Sequence, residues 1–249
     1  MKKSTAKRKK RPKNRVAGPG PRRQPDPVYE PISQREKETV IEIIQGGQTA
    51  EKALEVGLSA LIWADHTLAR FDWENDLPRP LACTAGCDHC CFNQVELTPP
   101  EALFIGHFVE RHFSPEEKDR LLEKVENSLS RMAGKSKKEI AGIRRELPCP
   151  LLRAQRCSVY PARPLVCRAM HSLDAGHCES SLWAGDLASG AYYSQRQEMV
   201  LAIARGLLAG CLAMGCQSGT LDLAQALQDY FRRPDPRARW IKGDALFSL

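Results

Sequence analysis

The stretch EKALEVGLSALIWADHTLAR, residues 51–70, decides the fold class. Leu54, Leu58, Leu61, Ile62 and Leu68 recur at i, i+4, i+7, i+8 and i+14, the period of an amphipathic helix and not the alternation of a strand. Working upstream, Gly46-Gly47 breaks the pattern, and a shorter apolar face of Val40, Ile41, Ile43 and Ile44 predicts another helix beginning near Gln34. Before it, residues 1 to about 30 combine a charge run with Pro and Gly and almost no large apolar side chains. Such a segment cannot offset its own ordering entropy, so a disordered basic tail is expected over residues 1–30.

Downstream, Thr98-Pro-Pro-Glu101 and Ser114-Pro-Glu-Glu117 both read as capping boxes with proline near the first helical position. Two helices should start there. The second carries Leu121, Leu122, Val125, Leu129 and Met132 and should end near Gly134, with another helix over Lys137 to Leu147. The segment CPLLRAQRCSVY, Cys149 to Tyr160, is the hairpin candidate, because two short apolar runs flank a polar centre. Helices resume around Tyr192–Ala209 and Leu221–Phe231, the latter with Leu223, Leu227, Tyr230 and Phe231 on one side, before Pro234 stops it. No internal repeat and no alternation of strand with helix is visible. The predicted fold is mainly α: a single helical domain over residues 31–249, with an irregular cysteine-rich metal-binding insertion at residues 80–180 and the hairpin within it.

The chain of 249 residues is long enough to bury a core without covalent staples, so a metal is not needed to compensate for small size. The net charge of +7 belongs to the tail. Residues 1–23 hold eleven of the 37 Lys and Arg and no acid, which leaves 26 basic against 30 acidic residues in the remainder, a balance of −4. Through residues 1–28 the tail could contact nucleic acid non-specifically, with steep salt dependence, but it lacks interleaved aromatics to read bases. No apolar run follows the charged start, as a secretory signal would require. The most apolar stretch, Met199 to Cys216, is interrupted by Arg205, Gly206 and Gly210 and suits a buried helix, not a membrane span. A cytoplasmic location with reduced thiols is therefore expected.

The ten cysteines are unevenly placed. None precedes Cys83, eight fall between Cys83 and Cys178, and the last two are Cys211 and Cys216. The final pair reads as small core hydrophobes. The stretch CTAGCDHCC, residues 83–91, is different, with four thiols in nine residues spaced Cys-x3-Cys-x2-Cys-Cys. If that turn were helical, Cys83, Cys87 and Cys90 would share one face and Cys91 would lie about 100° round from Cys90. Cys149, Cys157, Cys167 and Cys178 follow at gaps of 7, 9 and 10 residues. An odd hairpin loop would put Cys149 and Cys157 on one face, and an even one would oppose them. Arg156, Arg163 and Arg168 lie beside these cysteines and would favour thiolates, but close thiolates need a multivalent cation. Soft thiolate sets select zinc, copper(I) or iron–sulfur clusters. His89, His171 and His177 read as polar neighbours more readily than as ligands.

The spacing Cys83-x3-Cys87-x2-Cys90 is also that of the radical-SAM signature, but His89 stands where those enzymes usually carry an aromatic residue and the body here is helical. With both halves in view, the sequence resembles the YkgJ-type cysteine-cluster family, described as zinc- or iron-chelating. The resemblance rests on CTAGCDHCC and on Cys149-Pro150, Arg156-Cys157-Ser158-Val159-Tyr160 and Arg163-Pro164-Leu165-Val166-Cys167-Arg168. It implies a zinc or iron–sulfur centre held by Cys83, Cys87, Cys90, Cys91, Cys149, Cys157, Cys167 and Cys178. It does not imply a reaction. Some relatives look like iron–sulfur methylases, so a redox or group-transfer enzyme is one alternative and an RNA- or ribosome-associated protein acting through the tail is another. Asp88 and His89 lie within the cluster, but spacing assigns no catalytic residue.

Overall fold

The computed structural model describes residues 16–17, 26–184 and 190–249. Most of the expected tail lies outside them. Within it, Val16–Ala17 forms strand β1, and Asp26 caps a 3-10 turn at Pro27–Tyr29 that runs into the first helix. Helical structure therefore begins at Pro27, a few residues before the expected boundary, where Asp26-Pro27 supplies a helix-start signal.

The helices are α1 (Glu30–Gln45), α2 (Ala50–Glu74), α3 (Pro99–His112), α4 (Pro115–Met132), α5 (Lys137–Gly142), α6 (Leu165–Ala169), α7 (Ala175–Ala184), α8 (Ser194–Ala213), α9 (Leu223–Arg232) and α10 (Pro236–Trp240). Strands β2 (Glu96–Leu97), β3 (Leu152–Arg153), β4 (Arg156–Cys157), β5 (Tyr192–Tyr193) and β6 (Leu221–Asp222) are two residues each. They pair antiparallel as β1 with β5, β2 with β6 and β3 with β4. The mainly helical class follows the periodicity of the sequence.

Helix α8 lies along α1 and also meets α2 and α6, while α9 rests on α3 and α4. Val40, Leu61, Leu103, Ile203, Leu227 and Trp240 are among the fully buried side chains of the shared core. Gly206 and Gly210 do not interrupt α8; they let α1 approach it. A methyl group at Gly206 would collide with the Ser33 carbonyl, and one at Gly210 would lie 2.6 Å from Val40 Cβ. Close packing here offsets the roughly 1 kcal/mol of helix propensity that each glycine forgoes. Cys211 and Cys216 lie in the core, as expected. Among the described residues, no helix is long and apolar enough to cross a membrane.

Two local expectations need correction. Leu58 and Ile62 are exposed on α2, where with Trp63 and His66 they line a shallow groove. The buried face is instead Ala53, Val56, Ala60, Leu61, Ala64, Leu68 and Phe71. Small residues bring α2 close to its neighbours: a methyl at Gly57 would lie 2.6 Å from the Pro100 carbonyl oxygen. The expected helix over Lys137 to Leu147 divides into α5 and a 3-10 turn, Arg144–Glu146. The break falls at Gly142-Ile143, a weak helical junction, and lets Arg144 turn into the protein.

Candidate metal centre

The first four thiols lie on an irregular loop. Residues 83–88 do not form the helical turn that would align Cys83, Cys87 and Cys90. Gly86 takes φ +92° in a turn closed by the Cys87 amide donating to the Thr84 carbonyl at 3.1 Å. A glycine avoids the Cβ clash of that backbone region. A 3-10 turn at His89–Phe92 then carries Cys90 and Cys91. With three residues per turn, neighbours on such a helix point about 120° apart. The two adjacent residues leave the turn at different angles, yet their thiols stay within hydrogen-bonding reach of each other.

The second half is brought to the first by backbone pairing. The Cys149 amide donates to the Cys91 carbonyl at 2.7 Å. Cys149 then leads through a tight turn into the predicted hairpin, whose two-residue loop Ala154-Gln155 has φ values of 47° and 60°. That loop is even, and Cys157 sits opposite Leu152. Register alone would set Cys149 and Cys157 on opposite faces. Cys149 precedes β3 and so lies outside that register, and it feels the charge of Cys157 directly. Both pack against the main core.

Cys167 is carried by α6 and Cys178 by α7, two short helices absent from the sequence reading. Asp174 marks the second: its carboxylate accepts the His177 amide at 3.0 Å, an N-terminal capping contact that could have signalled the helix. The Ser172 amide donates to Cys83 Sγ at 3.4 Å, and the Ala82 amide donates to the Ser172 carbonyl at 2.9 Å. Helix α7 packs against the Cys90–Cys91 turn.

Three charged side chains hold this arrangement, and spacing did not assign those roles. Buried Glu101 accepts the Thr98 amide and hydroxyl at 2.7 Å each with one oxygen, closing its capping box. Its other oxygen accepts the Leu165 amide at 2.6 Å, fixing α6 two residues before Cys167. Arg144 donates to Asn93 Oδ1 at 2.6 Å and to Ser181 Oγ at 3.0 Å, joining the first cysteine turn to α7. Arg168 pairs with Asp65 of α2 and donates to the Pro161 and Arg163 carbonyls, at 2.6 and 3.0 Å. Of the histidines, His171 is structural: Nε2 accepts the Tyr193 amide at 2.9 Å, so Nδ1 carries the proton given to the Ala169 carbonyl.

The thiols influence one another electrically. Cys90 is drawn down to about 7, chiefly by a hydrogen bond with Cys91, with the Arg163 charge assisting. Cys91 is pushed up by that same bond, then by burial and by Cys149 and Cys157, so Cys90 is the more readily ionised of the pair. Burial pushes Cys149 up to about 12 and Cys167 well above the ordinary thiol range. Burial also raises Cys157, against the pull of Arg163 and Arg168. Burial raises Cys83 and Cys87, each partly relieved by a backbone amide. All ten cysteines are free.

The donor chemistry fits a soft or borderline cation, since eight thiols from two segments share one region. The shell is not preformed. Among the described residues, no group of three or more His, Cys, Asp or Glu side chains is placed to hold an ion. Closing it would gather thiolates that repel unless a multivalent cation lies among them.

Two cysteine-rich segments distant in sequence are thus gathered on one helical scaffold. Residues 82–184 match the family model CxxCxxCC, described as "Putative zinc- or iron-chelating domain". The matched span contains all eight cysteines of the cluster and agrees with the resemblance of the sequence motifs. No curated protein and no solved structure matches the chain.

Proposed function

We propose that this is a metal-binding protein in which Cys83, Cys87, Cys90, Cys91, Cys149, Cys157, Cys167 and Cys178 hold zinc or an iron or iron–sulfur centre. The 2.7 Å hydrogen bond between the Cys149 amide and the Cys91 carbonyl carries the reading, because it joins two thiol segments that are far apart in sequence. When bound, the metal would supply the charge that lets crowded thiolates coexist. The protein's own residues position the donors: Glu101 sets α6, Arg144 ties the first turn to α7, and Arg163 and Arg168 favour the charged form of Cys157. A reducing, cytoplasmic setting belongs to the same proposal, since ligand thiols must stay unoxidised.

Anaerobic purification followed by metal analysis and a visible spectrum tests it. Zinc gives bound metal without visible colour, and an iron–sulfur centre gives broad visible absorption. A folded, metal-free, colourless protein that takes up neither zinc nor iron refutes the proposal.

A further inference from the structure

We propose that the outer face of α2 is a dimerisation surface, and that its occupant is the same face of a second copy of this chain, packed antiparallel.

The face is a continuous stripe. At 3.6 residues per turn, Glu51, Glu55 and Leu58 on one side of Ile62, and His66, Ala69 and Trp73 on the other, fall within about 40° of a line through Ile62. All seven residues are exposed. An isolated apolar residue on a surface is ordinary, but Leu58 and Ile62 here adjoin a groove of about 390 Å³ walled by Trp63, and Trp73 is 90% exposed. The stripe runs along the helix for about 33 Å, a length on which two helices can pack side by side.

Two properties of the stripe select a second copy over an unlike partner. Spacing is the first: the steps away from Ile62 are four, three and four residues in both directions. A two-fold axis at Ile62 therefore sets every exposed position of one helix opposite an exposed position of the other. Ile62 meets Ile62, Leu58 meets His66, and Glu51 meets Trp73. Charge is the second. The acids Glu51 and Glu55 lie at the N-terminal end of the stripe, whereas Arg70 flanks its C-terminal end. Antiparallel pairing puts Glu55 of each copy beside Arg70 of the other, twice per dimer. Parallel pairing would set Glu55 against Glu55 and Arg70 against Arg70. Within one chain Glu55 is held by Lys52 at 2.7 Å and Arg70 by Glu74 at 2.8 Å. Exposed pairs of this kind contribute little and exchange partners readily. Helix α2 carries no cysteine, so the pairing needs neither a disulfide nor a metal ion.

Sedimentation velocity of the full chain under reducing conditions, over a wide range of loading concentrations, tests this surface. The mass should rise from one chain towards two as concentration increases. Ile62→Glu, at an exposed position and with circular dichroism confirming its fold, should stay monomeric throughout. Glu55→Arg and Arg70→Glu should each weaken self-association by about tenfold or more, because each sets like charges together. Mixing those two variants should restore association, since both contacts of the mixed dimer then join opposite charges. A wild-type chain that is monomeric at every concentration overturns the proposal and leaves the stripe to an unlike partner. A dimer that survives Ile62→Glu places the contact elsewhere and overturns it as well. Charge variants that dissociate but do not recover on mixing overturn the antiparallel arrangement.

Discussion

Cys90 and Cys91 share a peptide bond but not an environment, since one thiol is pulled toward ionisation at about 7 and the other is pushed away from it. A similar contrast separates the cluster from Cys211 and Cys216, which have the same side chain but lie in the core. Cys211→Ala and Cys216→Ala should each cost about 1 to 2 kcal/mol by loss of buried volume while leaving metal content unchanged. Cys149→Ser should lower metal content sharply, as elemental analysis would show. Glu36 makes a second prediction at this scale. It is fully buried between α1 and α8, its carboxylate oxygens have no hydrogen-bond partner, and burial raises its pKa from 4.5 to about 7. The native state therefore holds the proton where the unfolded chain has lost it. Stability is fully present below about pH 4.5 and falls as pH rises through 7, by roughly 3 kcal/mol. Glu36→Gln should flatten that part of the stability profile, measured by urea unfolding at pH 5 and pH 8. An equal slope in the two proteins would assign the pH dependence to another group.

At the scale of elements, capping boxes and periodic faces were legible because their interactions are local: Thr98 with Glu101 and Ser114 with Glu117 lie within one helical turn. The second role of Glu101 was not, since its partner Leu165 is 64 residues away. Replacing Glu101 by Gln puts an amide donor against existing donors, and should cost about 1 to 3 kcal/mol in chemical unfolding and weaken metal retention through displaced Cys167. The hairpin was legible as two apolar runs, but its turn was not. Ala154 and Gln155 both adopt positive φ, without the Asn-Gly pair that such a turn favours. Replacing them by Asn and Gly should raise stability by about 1 kcal/mol without altering metal content. An unchanged or lowered melting temperature would count against strain at this turn.

For the whole molecule, metal and fold should be linked unevenly. The α1–α2–α8 packing rests on buried apolar contacts, whereas the segment from Cys83 to Cys178 depends on loops, two-residue strands and short helices. Removing metal with a chelator should therefore expose the cluster segment to limited proteolysis while a fragment containing α1 and α2 persists. Uniform digestion along the chain would show that the metal stabilises the body as well. The same division explains what could be read in advance. The sequence by itself determined that the chain is helical, where several helices begin, and which thiols are concentrated enough to act as ligands, because periodicity, caps and spacing are short-range properties. Tertiary structure alone decided that Leu58 and Ile62 face outward, that Gly206 and Gly210 mark a helix contact, and that Cys149 meets Cys91. Each of those depends on an approach between segments distant in the chain, where close packing and buried hydrogen bonds select one arrangement.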